Sequence, residues 1–162
     1  MKKSIVMSAA AIISAMTLSF TGSYAANGRK TAPTHSKAMI TVHRDFPQVQ
    51  NVTWLKEGKD QIALFTVEDR HMQFTFNGNG NLESTMITTC NAWYLPFELQ
   101  TSLSKKYPGY VPKTISEYIG PNAHTFYVLL KKKQEKEVTW MRVKADEDGN
   151  AIEVIQQLHQ NV

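Results

Sequence analysis

The sequence predicts an α+β fold made of two tandem repeats, each one short helix followed by a four-stranded antiparallel sheet. Three observations carry that expectation. Ala38, Val42 and Phe46 precede Pro47, and Leu99, Leu103 and Tyr107 precede Pro108 with the same i, i+4, i+8 spacing. Strand-like sequence follows each stretch. The turns before the last strand of each half also match: Gly80-Asn81-Leu82-Glu83 beside Gly149-Asn150-Ala151-Ile152-Glu153. The repeats are read at residues 35–88 and 96–158 of a single domain, residues 35–159.

Before that domain stands an export signal. Met1-Lys2-Lys3 is a basic start, Ile5–Phe20 an apolar run, and Ser23-Tyr24-Ala25 offers small residues for cleavage after residue 25. The run is too short and too interrupted by Ser and Thr to serve as a membrane span of about 20 apolar residues. No membrane span is therefore expected after cleavage, and the expected location is the periplasm or the outside of the cell. Residues 26–34 are polar and aperiodic and read as a flexible lead.

His35–Phe46 is the first helix, with Ala38, Met39, Val42 and Phe46 as its apolar stripe and Pro47 as its stop. Val49–Glu57, Gln61–Glu68, His71–Phe76 and Leu82–Thr88 are strands. The third alternates cleanly, Met72, Phe74 and Phe76 against His71, Gln73 and Thr75, as a half-buried strand requires. Asn77 to Asn81 is a turn built from residues that tolerate positive φ. Thr89–Leu95 is a linker, and the second helix runs from Pro96 to Tyr107. Tyr110–Ile119, His124–Lys131, Glu137–Ala145 and Ala151–Leu158 are strands, with Pro112 pointing to an edge or an irregular start and His159–Val162 to a frayed tail.

Charge and cysteine usage narrow the function. Without Lys2 and Lys3, 16 basic residues face 14 acidic ones, too even a balance for a nucleic-acid partner. Cys90 is the single cysteine, so no internal disulfide forms, and burial as a small apolar residue is its expected state.

The residues resemble a known pattern. An aromatic-Pro pair ends the first helix, followed by Val52-Thr53-Trp54, by Phe76 four residues before Gly80, by Leu95-Pro96, and by Lys106-Tyr107-Pro108-Gly109-Tyr110. Together they resemble the β-lactamase-inhibitor-like, PepSY-like family of exported bacterial proteins over residues 36–158. That resemblance implies helix-plus-antiparallel-sheet repeats and binding to another protein. The second half departs from it, lacking Val-x-Trp and placing Ala145 where Phe76 stands.

No catalytic or metal constellation stands out, so no enzyme activity and no cofactor are expected. In Asp146-Glu147-Asp148-Gly149-Asn150, a calcium loop would need oxygen ligands where Lys144 and Ile155 fall, so a solvated hairpin turn is the reading. The five histidines are scattered, and the sequence around Cys90 has no nucleophile turn.

Attention therefore falls on the sheet. Counting back from Gly149 turns Met141 and Val143 inward and leaves Trp140, Arg142 and Val138 on the opposite face, with Thr75, Gln73 and His71 on that face in the first half. Trp beside Arg is the composition of protein interfaces. The candidate binding residues are Trp140, Arg142, His71, Gln73 and Tyr110, with an exported or envelope protein or peptide as partner. The alternative is a small-ligand or envelope-glycan binder using Trp93, Tyr94, Tyr110 and Tyr118 as stacking surfaces.

Overall fold

The computed structural model describes residues 36–161. The signal segment, the lead over 26–34 and His35 lie outside the described residues. Helix α1 (Ser36–Asp45) is followed by β1 (Thr53–Glu57), β2 (Asp60–Val67), β3 (Arg70–Phe76) and β4 (Leu82–Thr89). A 3₁₀ turn (Ala92–Tyr94) leads into helix α2 (Phe97–Lys106). The chain then forms β5 (Val111–Gly120), β6 (Ala123–Lys133), β7 (Glu137–Ala145) and β8 (Glu153–Asn161).

All eight strands join one antiparallel sheet in chain order, β1 to β8. This corrects the expected fold class. Among the described residues the chain is mostly β with two short helices, and it is not two units of a helix on its own four-stranded sheet. The junction is the β4–β5 ladder, running from Thr85 opposite Ile119 to Thr89 opposite Ile115. A four-stranded unit ending at β4 would leave a row of backbone N–H and C=O groups unpaired, and β5 pairs them. Pro112, which lacks an N–H, lies beyond the end of the β4–β5 ladder, where β5 pairs with β6 alone, and beside a bulge between Pro112 and Thr114, so the strand has the irregular start expected of it.

Both helices cover the same face of the sheet, and the core lies beneath them in two patches. Under α1, Ala38 and Val42 join Phe65, Met72, Phe74 and Phe76. Phe46 closes this patch, with ring centroids 5.1 Å from Phe65 and 5.5 Å from Phe74. Under α2, Leu99 and Leu103 meet Ile115, Phe126, Val128, Leu130, Met141 and Val143. Tyr107 packs against this patch, and burial raises its phenol above the ordinary tyrosine range.

Three local expectations change. Cys90 is exposed, because β4 ends at Thr89 and the chain bends before the next strand face is built. The tail is not frayed through 161. Strand β8 extends to Asn161, and His159 on it bonds the Glu137 carboxylate of β7. Strand β1 begins at Thr53 rather than Val49, whose N–H closes the turn after α1 by donating to Phe46 C=O at 3.1 Å.

Candidate functional site

The face opposite the helices is the candidate site. Successive residues of a strand point to opposite faces, and directly opposed cross-strand partners share a face. Met141 and Val143 pack under α2, so Trp140, Arg142 and Lys144 project from the other side. Register extends this into rows. Trp140 opposes Lys131 on one side and Leu158 on the other. Arg142 opposes Leu129, and Lys144 opposes Tyr127, which in turn opposes Ser116. Further along the same face lie Tyr118, Met86, Gln73 and Leu64, each opposite the next. Among the described residues, no helix packs over these rows.

The face is apolar and aromatic for a solvated sheet. Tyr118, Tyr127, Leu129 and Trp140 are half-buried by their neighbours alone. Lys131 Nζ lies 4.7 Å from the Trp140 ring centroid, a cation–π contact that holds the indole in place. Thr88 and Ser116 hydroxyls meet at 3.0 Å across the β4–β5 junction, tying the two halves of the face together. At the β3 end, Thr66 Oγ1 and His71 Nδ1 are 3.1 Å apart.

Four of the five candidate residues share this face: Trp140, Arg142, His71 and Gln73. They do not form one small contact point. Strand β3 is four strands from β7, which at about 4.8 Å per strand separates them by roughly 19 Å. That span suits a protein footprint of about 800 Å² and is too wide for a small ligand. Tyr110 is on the helix side instead, with its ring 6.3 Å from Tyr107 and Lys132 Nζ 5.6 Å from its centroid. It packs against the core under α2.

The four stacking aromatics of the ligand alternative do not converge. Trp93 stands 88% exposed on the linker, Tyr94 lies under the Arg70 guanidinium, and Tyr110 and Tyr118 are on opposite faces. A shallow depression of about 400 Å³ near the β7–β8 turn involves His124, Asp146 and Asn150. His124 is already bracketed there by Glu117 at 2.7 Å and Glu147 at 2.9 Å. The Asp146 carboxylate accepts backbone N–H bonds from Asn150 at 2.8 Å and Ala151 at 3.2 Å, which is turn chemistry. Among the described residues, no three His, Cys, Asp or Glu side chains converge to hold a metal.

Sequence reasoning missed Tyr127, Leu129, Lys131 and Lys144 as members of the face. Strand β6 is apolar on both sides, Phe126, Val128 and Leu130 against Tyr127 and Leu129, so alternation alone does not say which set is covered.

Fold and face define a class: an antiparallel sheet backed by helices on one side and open on the other. No protein-family model matches the chain, and no curated protein matches it. Solved structures share the fold. A BLIP-like protein from Bacteroides fragilis NCTC 9343 is 18% identical, with a TM-score of 0.58 over 82% of this chain and 89% of that one. A candidate periplasmic protein from Bacteroides eggerthii DSM 20697 is 13% identical, with a TM-score of 0.58 over 82% and 90%. A DUF2874 family protein from Bacteroides uniformis ATCC 8492 is 13% identical, with a TM-score of 0.57 over 80% and 90%. At these identities the likeness is one of fold. It supports the BLIP-like part of the expected resemblance and does not show the PepSY-like part.

Proposed function

We propose that this chain is an exported, non-enzymatic binding module that holds another protein or peptide against its open sheet face, in the manner of an inhibitor. The observation that carries the reading is the asymmetry of the sheet. Both core patches lie under the helices, while the uncovered side displays Trp140, Tyr127, Tyr118 and Leu129 with Arg142 among them. Antiparallel sheets often face water with polar residues, and an uncovered face that keeps large aromatics has a composition suited to a partner. A BLIP-like fold neighbour and a neighbour named for the periplasm agree with this reading. So does the export signal read at residues 1–25.

The test is capture from a periplasmic extract with three baits. A protein retained by wild type and by Trp93→Ala, but lost from Trp140→Ala/Arg142→Ala, is the expected result. Removing two central interface side chains should weaken binding by about 2 kcal/mol or more, over tenfold. Identical captured sets from all three baits would contradict the reading.

A further inference from the structure

We infer that the partner is acidic where it meets β6 and β7, and that it seats carboxylates between the aromatic side chains of this face. The inference rests on the docking reading above and adds the partner's chemistry.

The charges of the second half are sorted by face. Lys131, Arg142 and Lys144 share the open face by register, and Lys133 joins them opposite Val138. Among the described residues, none of the four has a carboxylate within ion-pair distance. Lys131 is engaged by the Trp140 ring alone. The one acid brought onto these rows is Glu153, opposite Lys144 at the β8 edge. Three other acids of the same half are engaged elsewhere: Glu117 and Glu147 by His124, and Glu137 by His159.

The open face of β1–β4 has the opposite character. Its strand positions carry no lysine or arginine, and Glu57 opposes Asp60 at its far end. The face is therefore polarised across the sheet, basic over β6–β7 and weakly acidic at β1–β2. Cations two residues apart on a strand lie about 7 Å apart, so their potentials add over a patch the size of a peptide. Apolar side chains alternate with the cations, with Leu129 beside Arg142 and Trp140 beside Lys131. A purely anionic polymer would leave those apolar surfaces unused. An acidic protein segment with apolar or aromatic residues would satisfy both, with the charges steering encounter and the aromatics anchoring it.

The probe is a displayed library of short random peptides, selected on the exported chain at low salt. Binding of the enriched peptides is then measured to wild type and to Lys131→Glu/Arg142→Glu/Lys144→Glu. A neutral variant, Lys131→Gln/Arg142→Gln/Lys144→Gln, serves if the reversed one does not fold. Phosphatidylglycerol vesicles run in parallel. The expected result is enrichment of acidic peptides carrying aromatic residues. Their binding should fall more than about tenfold in the variants, and it should weaken as salt shortens the Debye length from ~30 Å at 0.01 M to ~3 Å at 1 M. Enrichment of neutral apolar peptides that need Trp140 but ignore the charge variants would overturn the inference and leave the docking reading standing. Binding to vesicles with no acidic peptide enriched would overturn it in favour of a lipid surface. No binding to any probe would count against both.

Discussion

Phe76→Ala is expected to lower the unfolding free energy by about 3–5 kcal/mol, the largest effect of any single truncation considered for this chain. Phe76 is, with Phe126, the largest fully buried side chain among the described residues, and it is 0% exposed. Its ring centroid lies 6.0 Å from Trp54 and 6.3 Å from Phe74, so removing it opens a cavity bounded by rings on two strands. A domain of this size has about 5–15 kcal/mol of stability in total, so the loss is roughly a fifth of it or more. Urea unfolding followed by Trp fluorescence measures the change. Trp93→Ala, at an 88% exposed position, is the matched control and should stay within about 0.5 kcal/mol of wild type. Equal effects for the two substitutions would mean that the core does not lie under α1.

Gly149→Ala is expected to be the most damaging change at a turn. Gly149 has φ +69°, a left-handed conformation that costs an L-residue about 1–2 kcal/mol. A Cβ there would also sit 2.7 Å from Ser102 Cβ and 3.1 Å from Leu99 Cα. Leu99 is fully buried and its Cα is helix backbone, so α2 must shift off the sheet, adding about 1–3 kcal/mol of overpacking. Gly58 separates the two contributions. Its φ is +61°, and nothing lies within 4 Å of a Cβ built on it, so Gly58→Ala should show the backbone strain alone. Thermal unfolding of both variants should place Gly149→Ala clearly below Gly58→Ala. The reverse order would mean that α2 does not rest on the β7–β8 turn.

Much of the local structure is legible in the sequence because period-2 alternation reports a face directly. Met72, Phe74 and Phe76 are all buried on the helix side, as are Met141 and Val143. Alternation cannot say which strands pair. Nothing local to Leu82–Thr89 or Val111–Gly120 announces that they join, and that one ladder turns two expected sheets into a single eight-stranded one. Residue type also misleads where burial depends on tertiary position. Trp93 and Phe97 are 88% and 76% exposed although both are large and apolar, and Cys90 is exposed although free cysteines are usually buried. Tyr110 is aromatic and beside a Pro-Gly turn, yet the bulge after Pro112 and the packing of Tyr107 place it on the covered side. The face of Trp140 and Arg142 is legible because β7 alternates from Trp140 to Ala145, although Val138 and Thr139 before them are both buried.

We propose that a partner sits on the sheet face opposite the helices. Site-specific photo-crosslinking in the exporting cell tests it most directly. A photoreactive amino acid is placed at position 127, in the middle of that face, or at position 93, on the exposed linker. A discrete adduct with another protein is expected from position 127 and none from position 93. An adduct from position 93 with none from position 127 would contradict it.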